Sequence, residues 1–496
     1  MSVELRLKTN NCVHEKLFFR QGRINKKNQR LILVIPHGDD ELNLIGTIAQ
    51  RFVKNNYEIH LVIVTNGDYN PSVTAQRYQE TMTVAKQLGI SQVVFLGYGD
   101  MPAFDGVHTY HTPNGEIFVS PAGQSATYGV ENEKDYSFQK NGIHHSYCRE
   151  NVKTDLKDCI CEINAELMIC VDFDEHADHR MTSLLFDEVM RELLRTTDYR
   201  PIVLKKFAYA GVWFGLEDYY HNPMRETVLT PEEYYPYSPV HEIRVDVPKK
   251  YYPVFYKHSK LYRLCQIYQS QYVTEHFTRM VNADALYFFR DTSNLALRAN
   301  VTVSSGEKKY LNDFKLIDLR RINESKQDII QRYDCYTWVP DSTDSERKAI
   351  FRFSTPVTVR EIQFYFPYEA CFRPQEMVIT VNDLSMVWNV ENSIDGIFTL
   401  PQALSQVNQV EIRITKGAPG CGISEIEIFD HVSRFPWNQV PLKPFNPKKL
   451  SRYRPGSSFV PVAEKKLHFL HQFIRYDLKG NGLKYYFTRI LKRFKK

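Results

Sequence analysis

Leu31-Ile32-Leu33-Val34-Ile35 runs directly into Pro36-His37-Gly38-Asp39-Asp40-Glu41, and this junction decides the fold. Five consecutive apolar residues suit a short strand buried on both faces, the pattern of a parallel sheet. The polar cluster then falls at the carboxyl end of that strand, where open parallel sheets bind ligands. A helical stretch follows over about 42–55, with Leu44, Ile45, Ile48, Phe52 and Val53 on one face. Ile59 to Val64 repeats the buried-strand pattern and ends in Thr65-Asn66-Gly67-Asp68. Arg77 to Leu88 reads as a helix closed by Gly89. Val93 to Leu96 and Leu167 to Val171 supply further strands, the latter followed by a helix over about 178–194. Strands alternating with helices predict a Rossmann-like, doubly wound, mostly parallel α/β sheet. Residues 101–150 have little periodicity and read as a lid or substrate loop.

The second strand end carries His176-Ala177-Asp178-His179-Arg180. Two imidazoles and a carboxylate can hold a divalent ion while leaving a position open for water. Such an ion lowers the pKa of its water and polarises a scissile carbonyl, with a nearby carboxylate to take the proton. Asp-Asp-Glu at a helix start also caps it, but capping explains neither His37 nor a second His-x-Asp-His. No CxxC pair is present, so the ligands must be His and carboxylate. Zinc suits this set, although the same trio holds ferrous iron in other sites.

These stretches resemble the PIG-L/LmbE-like deacetylases, whose signature is a Pro/Ala-His-x-Asp-Asp-Glu after the first strand and a later His-x-Asp-His. Further matches are Thr65-Asn66-Gly67-Asp68, Arg77-x-x-Glu80, Phe95-Leu96-Gly97-Tyr98-Gly99-Asp100, Thr127-Tyr128-Gly129 and Tyr268-x-Ser270-Gln271, together spanning about 28–292. Gly38 stands where the family often has Pro, a position that supplies no ligand. The resemblance implies that His37, Asp40 and His179 bind the metal, with zinc the expected ion. It further implies Asp39 as general base and His176 as oxyanion stabiliser and proton donor. Asp178 would orient an imidazole from behind, as metal-site carboxylates do. Arg77 and Asp100 are candidate contacts to sugar hydroxyls. For Arg77 a helix-surface ion pair with Glu80 is the competing reading. Asp172 and Asp174 are left between supporting and solvated roles.

The implied reaction is removal of acetyl from an N-acetylhexosamine in a glycan or glycolipid. The alternatives are hydrolysis of a bulkier sugar-linked amide, or a carbohydrate-binding scaffold without activity.

Beyond Asn294 the segments shorten and become rich in β-branched and aromatic residues. Phe351–Phe353, Glu361–Phe366, Met377–Val381, Val410–Ile414 and Ser424–Phe429 all read as strands, which predicts an all-β sandwich over 293–430. Asn294-Leu295-Ala296, Tyr336-Thr337-Trp338 and Gly422 to Phe429 resemble discoidin-like domains, which implies a jelly roll. Trp338, Tyr368 and Phe372 are then candidates to stack on sugar, or are core aromatics.

The chain of 496 residues has net charge +5, but residues 431–496 alone carry +14 and leave the rest at −9. No basic patch on the body argues for nucleic acid. The tail reads as a Pro-rich linker over about 431–461 and two amphipathic helices, the last one basic. That pattern is expected either to lie on an anionic membrane or to pack on the enzyme. Nine cysteines, and an N-terminus lacking an apolar signal stretch, lead us to expect a cytoplasmic protein, with peripheral membrane attachment through the tail.

Overall fold

The computed structural model describes residues 29–101, 116–174, 176–208, 226–229, 235–248, 259–273, 280, 282–317, 336–393, 395–448 and Lys466, Leu467 and Leu470. The tail helices expected over 467–494 and part of the expected lid, 102–115, lie outside these, apart from Leu467 and Leu470.

The first sheet has seven strands: β1 (Gln29–Ile35), β2 (Tyr57–Thr65), β3 (Gln92–Tyr98), β4 (Leu167–Val171), β5 (Ile202–Lys206), β6 (Glu242–Asp246) and β7 (Asp284–Arg290). Their order is β3-β2-β1-β4-β5-β7-β6, parallel from β3 to β5. β7 runs antiparallel to both neighbours. The chain leaves β1 toward one edge and builds the other from β4, so the crevice between β1 and β4 is the topological switch point.

Alternation along β1 explains why its apolar run is continuous. Leu31, Leu33 and Ile35 enter one core with α1 (Asp40–Ile45), α2 (Ala49–Lys54) and Tyr268. Ile32 and Val34 enter the opposite core with α5 (Arg149–Ile163) and α6 (Ala177–Thr196). Both faces are covered, so no polar alternation is required. α3 (Thr74–Leu88) ends as expected on Gly89, whose φ of 83° lets its N–H reach Ala85 O while Ile90 N also bonds Ala85 O. The single helix expected over 42–55 is instead two. Gly46 closes α1 through its N–H to Leu42 O before α2 begins.

The described part of the expected lid is packed structure. It includes α4 (Tyr136–Asn141), and Phe118, Tyr136 and Tyr147 are buried in the core beside β3.

The second sheet is antiparallel, with β8 (Asn300–Val303), β9 (Lys348–Tyr365), β10 (Glu376–Val381), β11 (Leu384–Asn389), β12 (Ile397–Lys416) and β13 (Glu425–Phe429). The order is β11-β10-β12-β9-β13, with β8 also on β9. The separate strands expected at Phe351–Phe353 and Glu361–Phe366 are one long β9. The pairing of β9 with β12 shifts register three times, so bulges, not turns, redirect the chain. Trp338 is fully buried and donates Nε1–H to Ser305 O, which corrects its candidacy as a sugar-stacking residue. Tyr368 and Phe372 are partly exposed.

The Pro-rich stretch after β13 is not a free linker. Phe435, Val440 and Leu442 are buried in the core of the first sheet. Lys443 O accepts Asp246 N–H, and Phe445 N–H bonds Arg244 O along the edge strand β6. Apolar side chains among the prolines bring this segment back and cover a sheet edge.

Candidate metal centre

At the end of β1, Pro36 O accepts the backbone and hydroxyl hydrogens of Thr65, which fixes the turn carrying His37. Gly38 follows in a cramped place: a Cβ there would lie 1.9 Å from Thr81 Oγ1. Asp39 has φ 112°, a left-handed backbone that a non-glycine side chain seldom adopts. It precedes α1 without a side-chain capping bond, so helix capping does not account for its carboxylate. Its N–H is instead held by Glu41 Oε2 at 2.9 Å, and Tyr268 OH donates to Glu41 Oε1 at 2.5 Å. Burial pushes Glu41 up to about 7.

Asp40 is fully buried. Its Oδ1 accepts from Asn43, while Oδ2 lies 3.1 Å from His37 Nδ1 and 3.2 Å from His179 Nε2. His37 Nδ1 and Asp40 Oδ2 are buried without a hydrogen bond, a costly state unless something else sits between them. Ligands about 2.0–2.2 Å from a tetrahedral ion lie about 3.3 Å apart, so these spacings fit a divalent cation. Burial and Arg77 oppose a charge on His37, yet Asp40 and Asp39 raise it to about 9. Burial likewise opposes the Asp40 carboxylate, but His179 and His37 hold it well below the usual range. The negative field that retains a proton here would equally retain a metal ion, with release of that proton.

His179 stands in the first turn of α6 with Nδ1 2.8 Å from both oxygens of Asp174. A carboxylate only accepts, so the proton is on Nδ1 and Nε2 turns toward Asp40. The sequence reading gave the orienting task to Asp178, yet for His179 Asp174 performs it. Asp178 Oδ1 accepts Met101 N–H at 2.8 Å, and its Oδ2 lies 3.7 Å from His176 Nδ1. Burial and Asp100 push Asp178 up to about 7.

His176 precedes α6, and its Nδ1 accepts the Asp178 backbone N–H at 3.2 Å. The neutral ring therefore presents Nε2–H. Its ring centroid is 4.9 Å from that of His37 and 4.7 Å from that of His179. At 36% side-chain exposure, it is the imidazole of the three that a substrate can reach. Burial, with His37 and His179 beside it, pushes it down to about 3.

Arg77 points into the site and not along the helix surface. Its Nε donates to Gly38 O at 3.0 Å and its Nη2 is 3.4 Å from Asp39 Oδ1. Glu80 is engaged by Gln269 N and by the Ser270 backbone and hydroxyl. Gly67, at φ 63°, permits this approach, since a Cβ there would be 2.7 Å from Arg77 Cδ. Asp100 Oδ2 accepts Tyr69 N–H, while its Oδ1 is buried without a hydrogen bond. Asp68 braces this loop by accepting Asp100 N–H and Tyr128 OH. The sequence reading assigned no task to Asp68, Glu41 or Tyr268, although all three fall in motifs that it singled out.

Residues 32–190 match the family model described as PIG-L: GlcNAc-PI de-N-acetylase. This segment is a PIG-L domain. Among solved structures, the chain is similar to an N,N'-diacetylchitobiose deacetylase from Pyrococcus horikoshii, at 15% identity and a TM-score of 0.24. That match covers 37% of this chain and 62% of the deacetylase. A second likeness is to CpGH89CBM32-4 of Clostridium perfringens, with 18% identity, TM-score 0.20, and coverage of 27% of this chain and 98% of that one. A fucose binding module of Streptococcus pneumoniae matches at 13% identity and TM-score 0.21, over 28% and 99% of the two chains. No curated protein matches the chain.

Proposed function

We propose that this protein is a divalent-metal N-deacetylase acting on an N-acetylhexosamine unit of a glycan. In this reading 28–292 form the hydrolase, 293–430 a discoidin-like sandwich and 431–496 an accessory basic segment. The observation that carries it is the convergence of His37 Nδ1, Asp40 Oδ2 and His179 Nε2 beside the carboxylate of Asp39. The PIG-L match over the same residues supports sugar N-deacetylation.

His37, Asp40 and His179 would hold the ion, for which zinc fits the donor set. When bound, it polarises the acetamide carbonyl and acidifies water. Asp39, steadied by Arg77 and Glu41, takes the proton from the water that attacks the acetyl carbon. His176 Nε2–H donates to the carbonyl oxygen as negative charge develops there. The C–N bond breaks as Asp39 returns its proton to the sugar nitrogen, releasing acetate and a free amine. A neutral His176 suits donation to an oxyanion, so Asp39 carries the proton both ways. Asp100 Oδ1 and Arg77 would receive sugar hydroxyls, and Asp178 keeps the Met101 turn and His176 in place.

The test is acetate release from a panel of N-acetylated mono- and oligosaccharides by the wild type and by Asp39→Asn. Release by the wild type, with loss in a variant that still binds zinc, is expected. Equal release by both would remove Asp39 from the chemistry, and none from either would remove the deacetylase reading.

A further inference from the structure

Remote from the metal centre, a cavity of about 420 Å³ lies between α5, α6 and the single turn Lys308–Asn312 of the second domain. Its size is that of a small-ligand site. Six basic side chains and three acidic ones line it, within a body whose overall charge outside residues 431–496 is negative. All three acids already have partners. Glu188 binds Arg149, Lys153 and Lys315, the latter two at 3.2 and 2.8 Å. Glu192 pairs with Lys157 at 2.8 Å, and Asp313 with Lys315 at 3.8 Å.

Arg191 Nε donates to Asn312 O at 3.3 Å and its charge acts on Asp313, whereas Arg195 has no carboxylate contact among the described residues, so the six cations still outnumber the three acids. Arg191 and Arg195 stand one helical turn apart on α6, where like charges repel. A basic residue in a last helical turn favours the helix dipole, which suits Arg195, while Arg191 reaches across to Asn312. Burial and Arg191 together lower Arg195 from its ordinary value. Across the cavity, Lys309 Nζ sits 4.8 Å from the centre of the partly exposed Tyr310 ring. Cations contributed by α6 and by the Lys308–Asn312 turn to one groove, with the Tyr310 ring beside Lys309, match a ring bearing a negative charge.

We propose that this interdomain groove binds an acidic saccharide unit, carboxylated or phosphorylated, of the same glycan whose acetamide is cleaved. The saccharide part rests on the function proposed above, whereas the anionic part rests on the groove alone. Arg191 and Arg195 follow His176 by fifteen and nineteen residues on one helix, so the groove is about 20–30 Å from the reacting amide. It therefore retains an extended chain and takes no part in bond cleavage.

The test uses fluorescence anisotropy of labelled hexagalacturonate with the full-length protein, which requires no turnover. Deacetylase failure and groove failure are thus separable. Arg191→Glu with Arg195→Glu should weaken binding at least tenfold. Lys309→Glu, on the opposite wall and away from the helix, should act in the same direction. Reversing tail charges (Lys484→Glu with Lys492→Glu) should leave affinity unchanged, and unlabelled chitohexaose, which is neutral, should not compete. Phosphorylated mannopentaose tests the phosphate source, and its competition is expected if the groove reads charge on a sugar of either kind. Three results would overturn the proposal: unchanged affinity in both groove variants, loss confined to the tail variant, or single-stranded DNA bound more tightly with the same groove dependence.

Discussion

Two clusters of buried charge in this molecule look alike in composition and differ in how their atoms are paired. At the junction of the two sheets, Arg290 Nη2 donates to Glu427 Oε1 at 3.1 Å, and Tyr365 OH donates to Glu427 Oε2 at 3.1 Å. His241 Nε2 faces Gln363 Oε1 and Tyr365 OH, while Glu425 accepts Asp313 and Phe314 N–H. Arg290 also lies 3.9 Å from the Phe314 ring centre. There opposite charges pair directly and join the second sheet to the first, although Arg290 Nε and Nη1 stay buried without a hydrogen bond. At the end of β1, His37 Nδ1 and Asp40 Oδ2 instead approach a common point without a hydrogen bond. Buried charge alone therefore does not mark function. Convergence on a point that none of the side chains occupies does.

The largest effects are expected at the candidate metal centre. Asp40→Asn or His179→Ala should remove zinc binding and lower kcat by about 10³-fold or more, read by metal content and acetate release. The melting temperature of the chelator-treated protein should fall little, because this cluster is not what joins the fold. Arg290→Met should do the reverse. It leaves Glu427 buried and unpaired at a cost of about 3–5 kcal/mol, visible in urea unfolding, while the folded fraction keeps its kcat. Loss of kcat without loss of stability in that variant would erase the distinction between the two clusters.

A smaller effect is expected at Tyr268. Replacing it by Phe leaves a buried Glu41 oxygen without its donor, at about 1–3 kcal/mol. Because Glu41 holds the backbone of Asp39, kcat should fall by about 10- to 100-fold with KM and zinc content retained. Glu41→Gln, which keeps an acceptor for the Asp39 N–H, should retain more activity than Glu41→Ala. The smallest effect belongs to His431, half exposed after β13, where Asp291 chiefly raises it to about 9. A raised histidine stabilises fully below its unfolded value of about 6.5 and loses that contribution as pH climbs through 9. His431→Gln should flatten the decline in unfolding free energy over that window by about 1 kcal/mol or less.

What could be read from the sequence follows the same division. The apolar run Leu31–Ile35 and the two histidine motifs are local patterns, so the parallel sheet and the converging residues were legible. Strands β5, β6 and β7 were not, because Ile202–Lys206 ends in two lysines, Glu242–Asp246 carries three charged residues in five, and Asp284–Arg290 is aromatic-rich without alternation. The task of Asp174 depends on an imidazole five residues on around a helix start, which spacing alone does not reveal. On a flat helix surface Arg77 would pair with Glu80, three residues on. The glycine at 67 and the burial of that face send it inward instead. The return of Phe435, Val440 and Leu442 to the first core was masked by surrounding prolines, which read as linker.

The most direct measurement of the central claim is a zinc titration of chelator-stripped protein while acetate release from an N-acetylated oligosaccharide is followed. No release without metal is expected, then a rise that saturates at one equivalent and is absent from Asp40→Asn. Full release by the stripped protein, or none at any zinc level, would overturn the metal-dependent deacetylase reading.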